Sequence, residues 1–170
     1  MRRIVVTGAE SSGKTTLTQF LAARLQIPYA LEYARLYLET HGARYDYDIV
    51  HDIARGHLSY QTQQVAVESA WGIYDTDLLN FVIWCEVAFG DCEPWLRDAV
   101  AAEQHHVYLI CRPDLPWEYD PLREYPESRE ELFEKHLAAV KATGRDYHII
   151  SGHGAEREEQ ALTVVRQWLA

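Results

Sequence analysis

The sequence predicts a three-layer α/β protein with a central five-stranded parallel sheet. Short runs of β-branched and apolar residues alternate with longer helical stretches, and five such runs occur along the 170 residues. Alternation of this kind favours parallel strands joined by helical crossovers. Repeats, low-complexity tracts and linker-like composition are absent from the sequence. We therefore expect one domain over residues 1–170.

The predicted elements follow one another in a regular order. The first strand, RIVVT at residues 3–7, has the unbroken apolar core of a central strand buried on both faces. The remaining strands are predicted at 28–31, 72–75, 106–111 and 147–151. Apolar spacing predicts helices at 14–25, 34–40, 47–69, 79–90, 93–103, 129–143 and 156–169.

Composition narrows the classes of function. Sixteen basic and 26 acidic residues leave a formal net charge of −10, and no basic cluster occurs that would attract a nucleic acid. No apolar run reaches the ~18 residues that a membrane span needs. Three cysteines, odd in number and without metal-type spacing, suit a reduced cytoplasm. We expect structural or surface roles for the histidines, and the sequence leaves the oligomeric state open.

A glycine loop directly follows the first strand. Residues 8–15, GAESSGKT, match the pattern G-x-x-x-x-G-K-[ST] in full. Gly8 and Gly13 permit backbone angles that turn successive N–H groups toward phosphate oxygens. Lys14 supplies a positive charge for the β- and γ-phosphates, and the Thr15 hydroxyl is a ligand for Mg²⁺. Because an amphipathic helix begins at the end of this loop, the pattern predicts ATP binding.

Acidic residues stand at two predicted strand ends. Glu32 follows the second strand, and Asp75 and Asp77 follow the third. Ligands of such sheets bind at the carboxyl ends of the strands, where a carboxylate orients an acceptor hydroxyl and takes its proton. We expect Asp75 to be this base, with Glu32 close behind, and Asp75 to bind Mg²⁺, directly or through water, together with Thr15. Asp77 has the alternative role of favouring the start of the next helix.

A Pro-rich segment with arginines at both ends follows the fourth strand, at residues 112–129. We call this segment the lid, because arginines on a closing flap stabilise the charge of a transferred phosphoryl group and exclude water. Arg123 is the first candidate, followed by Arg129 and Arg112. The alternative is a surface loop whose arginines pair with nearby glutamates.

Four motifs together resemble a known family. They are ESSGK at 10–14, EYAR at 32–35, DTD at 75–77 and P-W-x-x-D-x-x-R at 116–123. In this order they resemble the ribosylnicotinamide kinase domain of the bacterial NadR-type proteins, in the P-loop kinase group, over nearly the whole chain. NadR-type proteins carry an adenylyltransferase domain before the kinase, whereas this sequence starts at the kinase strand. We expect any adenylylation to be done by another protein.

The resemblance implies an enzyme of NAD salvage. ATP and Mg²⁺ would phosphorylate the 5′-hydroxyl of nicotinamide riboside, giving nicotinamide mononucleotide. From the residues themselves we expect Lys14, Asp75, Glu32 and Arg123 to be catalytic. The resemblance places the ATP site at residues 8–16, and with the lid arginines we expect these ATP-binding residues: Gly8, Glu10, Ser11, Ser12, Gly13, Lys14, Thr15, Thr16, Arg112 and Arg129. The implied acceptor-binding residues are Glu32, Tyr33, Arg35, Asp75, Asp77, Trp117 and Asp120.

The chemistry of this acceptor agrees with the composition. Its positive pyridinium ring favours an acidic site with aromatic faces, for which Tyr33, Trp71, Trp84 and Trp117 are candidates. For most of these, packing in the core is the more usual role; Trp117 lies in a polar loop and is the exception. A kinase of another nucleoside or metabolite remains an alternative, and so does a P-loop ATPase or switch, which would consume ATP without an acceptor.

Overall fold

The computed structural model describes residues 1–170 and contains five strands and seven helices. The strands are β1 (Arg2–Gly8), β2 (Tyr29–Ala30), β3 (Trp71–Asp75), β4 (His106–Cys111) and β5 (Tyr147–Ile150). The helices are α1 (Lys14–Leu25), α2 (Tyr33–His41), α3 (Tyr47–Gln64), α4 (Leu78–Phe89), α5 (Pro94–Ala102), α6 (Arg129–Ala142) and α7 (Gly154–Leu169).

All five strands are parallel and lie in the order β2-β3-β1-β4-β5. Strand β1 is central, as its apolar sequence predicts. Val5 on one face packs in a buried cluster with residues of α2 to α6. Ile4 and Val6 face the other way and pack with residues of α1 and α7. Helices therefore cover both faces, and the predicted three-layer α/β fold is confirmed.

The register of the sheet brings the functional segments to one edge. Val6 of β1 is level with Asp75 of β3, and Gly8 is level with Cys111 of β4. Because parallel strands all end at the same edge, the glycine loop, the acid after β3 and the lid after β4 start next to one another.

Two predicted elements are shorter than expected. The edge strand β2 pairs through two residues only, because the chain turns at Glu32, the N-cap residue of α2. Helix α3 ends at Gln64 and not near residue 69, since Val65 is extended and buries its side chain against Ala30 and Tyr74.

Residues 112–128 of the lid form neither helix nor strand, in agreement with their proline-rich sequence. None of the helices combines the length and hydropathy that a membrane crossing requires.

Candidate active site at the carboxyl edge of the sheet

Residues 8–15, the phosphate loop, connect β1 to α1. Gly8 has a φ of 135°, and a Cβ there would lie 2.6 Å from the carbonyl oxygen of Cys111, so the position requires glycine. Gly13, with a φ of 75°, is the N-cap residue of α1 and provides no side-chain cap. The N–H groups of the first helical turn are therefore left for an external anion, and the loop has the properties of a phosphate site.

Two side chains of the loop bond to the same carbonyl group. The Lys14 ammonium donates a 2.9 Å hydrogen bond to the Ala9 oxygen, and the Ser12 hydroxyl donates one of 2.7 Å. Lys14 also lines the adjoining cavity. Its positive charge therefore lies at the position where the loop would receive a triphosphate.

A buried arginine outside the motif braces the loop. Arg157 of α7 donates to the carbonyl oxygens of Ser12 at 2.7 Å and Arg112 at 3.2 Å, and its side chain is only 5% exposed. It also donates to the carboxylate of Asp114 at 2.8 Å, which in turn accepts the Gly152 N–H. Arg157 was not among the predicted site residues, because no local sequence pattern marks an arginine as buried.

Asp75 lies directly behind the loop. It is 1% exposed, and its Oδ2 accepts a 2.6 Å hydrogen bond from the Thr15 hydroxyl. Burial and the nearby charge of Glu32 raise the pKa of Asp75 to about 7, against the opposing effects of Lys14 and Thr15. Its other oxygen, Oδ1, is buried without a hydrogen-bond partner. An unpartnered carboxylate oxygen beside a threonine hydroxyl is a suitable pair of ligands for Mg²⁺.

A cavity of about 400 Å³ opens from the phosphate loop across the edge of the sheet. Its walls are formed by the phosphate loop, α2, the loop between α2 and α3, one face of α4, the lid and α6. Of the predicted site residues, these line it: Gly8, Glu10, Ser11, Ser12, Gly13, Lys14, Thr15, Thr16, Glu32, Arg35 and Arg123. One continuous cavity thus joins the predicted nucleotide and acceptor sides.

One part of the cavity wall, formed by residues outside the phosphate loop, is aromatic and acidic. The rings of Tyr45 and Trp84, which we call the aromatic corner, meet edge to face at 4.8 Å between centroids. The Tyr45 hydroxyl donates a short hydrogen bond to the carboxylate of Glu124 from the lid. Trp84 was among the candidate aromatics, whereas Tyr45 and Glu124 were missed because they come from a connecting loop and the lid.

His136 of α6 is a further wall residue that the sequence analysis did not single out. Its Nδ1 lies 3.0 Å from the Thr7 hydroxyl, at the end of β1. Burial, reinforced by the Lys14 charge, lowers the pKa of His136 to about 3, so the ring is neutral. Asn80, in the first turn of α4, also lines the cavity and adds an uncharged polar group.

Asp77 does not lie in this cavity, contrary to our expectation of an acceptor contact. It is 1% exposed, caps α4 through the Leu79 N–H, and accepts hydrogen bonds from Tyr108 and His106. Although burial opposes ionisation, the hydrogen bond from His106 helps to hold the pKa of Asp77 below its ordinary value. Glu103 Oε2 lies 3.3 Å from the same His106 nitrogen. The side chains of Asp77, Glu103 and His106 are therefore close enough to one another to hold a metal ion. Since Asp77 is already bonded, we interpret this group as a structural network.

Two of the predicted acceptor aromatics pack elsewhere. Tyr33 does not line the cavity, and its ring packs at a tilt against that of Tyr60, with 5.4 Å between the ring centroids. Trp117 lies beneath the guanidinium groups of Arg123 and Arg129, at 5.9 and 5.7 Å. Both expectations were wrong for the same physical reason. The groups that these rings pack against are brought together by the tertiary fold, and the spacing of residues in the sequence does not show them.

The remaining lid residues bind protein groups. Asp120 forms an ion pair with Arg35 of α2 at 3.0 Å. Arg129 donates to the Ser11 carbonyl oxygen, which ties the lid to the phosphate loop. Arg112 pairs with Glu130 at 2.8 Å, as the surface-loop alternative predicts for one arginine. Of the three lid arginines, Arg123 lines the cavity.

A parallel α/β sheet with this loop at its carboxyl edge defines a P-loop nucleotide-binding protein. A family model described as an AAA domain matches residues 3–157, and the chain belongs to that AAA domain family.

Comparison with known proteins confirms the predicted resemblance to NadR. The "Trifunctional NAD biosynthesis/regulator protein NadR" of Escherichia coli is 28% identical over 164 residues, which cover 86% of this chain and 39% of that protein. The NadR protein in complex with NAD and AMP-PNP has a TM-score of 0.83 at 24% identity, over 98% of this chain and 49% of that one. The NadR protein in complex with NR has a TM-score of 0.81 at 23% identity, over 98% of this chain and 51% of that one.

The chain therefore spans about two fifths of the length of the curated relative, at 39%. The two structural matches show a shared fold over nearly all of this chain.

Proposed function

We propose that this protein is an ATP-dependent kinase that phosphorylates the 5′-hydroxyl of nicotinamide riboside, giving nicotinamide mononucleotide and ADP. One observation carries the proposal: a single cavity is lined both by the phosphate loop and by the aromatic and acidic side chains of Tyr45, Trp84 and Glu124. The relatives support it, since one is described as a NAD biosynthesis protein and the NadR structures hold NR or an ATP analogue. The product would enter NAD salvage.

The phosphate loop holds the triphosphate of ATP in this proposal. Backbone N–H groups at the start of α1 receive the phosphate oxygens, and Lys14 contributes the mobile charge. Thr15 and Asp75 would hold Mg²⁺, which neutralises phosphate charge when bound. The buried, unpartnered Oδ1 of Asp75 supports this assignment.

Glu32 is the group we propose to orient the acceptor hydroxyl and to take its proton. It lines the cavity, whereas Asp75 is buried behind Thr15. This reverses the preference for Asp75 as the base that strand ends alone suggested. In the transfer step the acceptor oxygen bonds to the γ-phosphorus as the bond to the β-phosphate oxygen breaks. The hydroxyl proton passes to the Glu32 carboxylate, and ADP leaves.

Arg123 supplies positive charge on the lid side of the transfer. It lines the cavity, and its Nη1 lies 3.4 Å from the Ser11 hydroxyl of the phosphate loop. A guanidinium at this position stabilises charge that spreads over the oxygens of the moving phosphoryl group. Its contact with the loop supports a role in the closed state of the lid.

The aromatic corner favours a cationic base on the acceptor. The faces of Tyr45 and Trp84 attract a pyridinium ring, and the carboxylate of Glu124 adds an opposite charge nearby. An uncharged nucleoside lacks both attractions. The acceptor side therefore supports nicotinamide riboside over adenosine or uridine.

A panel of acceptors tests the proposal. The purified protein is given ATP, Mg²⁺ and either nicotinamide riboside, its reduced uncharged form, adenosine or uridine, and phosphorylated product and ADP are both quantified. We expect the highest kcat/KM with nicotinamide riboside, and about tenfold or more loss with the reduced form, in which the ring charge is absent.

Two results would contradict the proposal in different ways. A preference for another nucleoside would retain the kinase and replace its substrate. ADP release at the same rate with and without any acceptor would instead indicate an ATPase or switch.

A further inference from the structure

The phosphate loop contains an acid where a triphosphate should bind. Glu10 lines the cavity with an ionisable carboxylate, and a carboxylate repels phosphate oxygens. The motif does not require this residue, since its position is one of the four variable ones. Phosphate binding therefore gives no reason for an acid at this position.

The structure gives Glu10 a different set of partners. Its carboxylate accepts hydrogen bonds from the backbone N–H of Glu124, at 3.2 and 3.1 Å, and of Tyr125, at 3.0 Å. Both donors belong to the lid and are 114 and 115 residues away from Glu10 in sequence. Hydrogen bonds to an ionised acceptor are about twice as strong as neutral ones. Glu10 thus holds one point of the lid against the phosphate loop.

The residue held there faces the acceptor end of the cavity. The side chain of Glu124 accepts the hydrogen bond of the Tyr45 hydroxyl. Burial, and then the bond to Glu124, raise the pKa of Tyr45 above its ordinary value, so the phenol stays the donor. Tyr45 in turn meets Trp84 edge to face. Hydrogen bonds and ring contacts therefore connect Glu10 to the aromatic corner without a break.

We infer that Glu10 is a positioning residue for the acceptor: it fixes the lid at Glu124 so that this carboxylate and Tyr45 shape the end of the cavity that holds the acceptor ring. The inference rests on the proposed function for the nature of the acceptor. The contact between Glu10 and the lid does not depend on it.

The inference predicts opposite effects on the two substrates. In Glu10→Ala two N–H groups of the lid lose the carboxylate to which they donate hydrogen bonds. We therefore expect KM for nicotinamide riboside to rise about tenfold or more. KM for ATP stays the same or falls, because a negative charge leaves the phosphate side. Damage to the loop itself would raise KM for ATP instead. Glu10→Gln keeps one carbonyl oxygen as an acceptor, and we expect an intermediate KM for nicotinamide riboside.

Hydrogen exchange provides a readout that needs no substrate. In the wild-type protein the amides of Glu124 and Tyr125 are bonded to Glu10, so a lid peptide over residues 119–128 gains deuterium faster in Glu10→Ala. Glu127→Ala is the matched control, since it removes one exposed acid from the same lid. We expect its exchange and both KM values to stay at wild-type level.

The possible results separate the inference from the proposed function. Faster exchange at the lid with a raised acceptor KM supports the inference. Unchanged exchange at residues 119–128, or a raised KM for ATP with an unchanged acceptor KM, overturns it. If the wild-type protein phosphorylates no nucleoside, the proposed function fails, and the exchange experiment still decides whether Glu10 holds the lid.

Discussion

The hydroxyl of Thr15 donates a 2.6 Å hydrogen bond to Oδ2 of Asp75. This bond joins the end of the phosphate loop to the end of β3, two segments that are 60 residues apart in sequence. Asp75 keeps its second oxygen free of partners in a buried environment, where an ionised carboxylate is costly.

The pH dependence of catalysis should follow the ionisation of the Asp75 carboxyl group. A carboxylate must be ionised to bind Mg²⁺, and the pKa of Asp75 is raised to about 7. We expect kcat/KM for ATP to rise with pH through about 7, with the midpoint lower at higher Mg²⁺ concentration, because the cation favours the ionised form. Rates measured across this range at two Mg²⁺ concentrations test it. A midpoint that does not respond to Mg²⁺ would show that Asp75 is not a metal ligand.

Stability should change with pH in the opposite direction. The folded-state pKa of Asp75, about 7, lies above its ordinary value of 3.8. The folded protein therefore binds the proton more tightly than the unfolded chain, and this carboxyl group destabilises the fold as pH rises from about 4 through 7. Asp75→Asn should raise Tm by several degrees at about pH 8 and have little effect at about pH 4, while losing activity.

Thermal melts of both proteins at the two pH values check the direction. Glu103→Gln is a useful comparison, since burial and the charge of Asp77 raise the pKa of Glu103 to about 8 outside the cavity. Glu103→Gln should also raise Tm at high pH, as Asp75→Asn does, but catalysis should stay at the wild-type level. A lower Tm of Asp75→Asn at high pH would contradict the linkage argument.

Lys14→Ala should lower turnover by orders of magnitude without unfolding the protein. The ammonium group makes one hydrogen bond within the loop, to Ala9, so its loss affects few contacts. We expect kcat to fall about 10²–10³-fold, as for the removal of one donor from a charged transition state. Steady-state rates and circular dichroism are the measurements. Near-normal rates in a folded variant would remove the phosphate loop from the mechanism.

Arg157 should stabilise the fold and ATP binding together. Its buried guanidinium donates hydrogen bonds to the Ser12 carbonyl oxygen and to the Asp114 carboxylate. Arg157→Ala should lower the free energy of unfolding by about 2–3 kcal/mol and weaken ATP binding, because the loop loses its brace. Arg166→Ala, an exposed change on the same helix, is the control for urea titration and ATP binding. Equal stabilities of the two variants would show that the brace has no energetic importance.

The ion pair between Arg35 and Asp120 should matter for the lid more than for stability. Their side chains are 41% and 20% exposed, so the pair contributes at most about 1 kcal/mol. We expect a double-mutant cycle of Arg35→Ala and Asp120→Ala to show a coupling of this size in acceptor KM that decreases with salt. Strictly additive effects at low salt would mean that the pair does not link α2 to the lid.

The elements of the fold could be predicted because their signals are local. The apolar run of β1, the helical spacing after Lys14 and the prolines of the lid all act within a few residues. The phosphate loop was recognisable for the same reason, since a strand, two glycines and a helix start are contiguous. The ends of β2 and α3 were misplaced where long-range packing, such as that of Val65 against Tyr74, decided the boundary.

The site was predicted less completely, and the failures share one cause. Asp77 and Tyr33 have the residue types that an acceptor site needs, yet their side chains point into a buried network and a ring cluster. His136, Asn80 and Tyr45 line the cavity with no motif to mark them. Which face a side chain occupies depends on how helices pack on the sheet, and a single sequence does not encode that in its spacing.

The sequence by itself determined the α/β class, the phosphate loop and the acids at the strand ends, because each follows from neighbouring residues and backbone geometry. Only the tertiary structure decided that Asp75 bonds to Thr15, that Arg157 braces the loop, and that the lid meets Glu10. These contacts join residues 60 to 145 positions apart. They form only when the packed sheet brings its strand ends and helices to one edge.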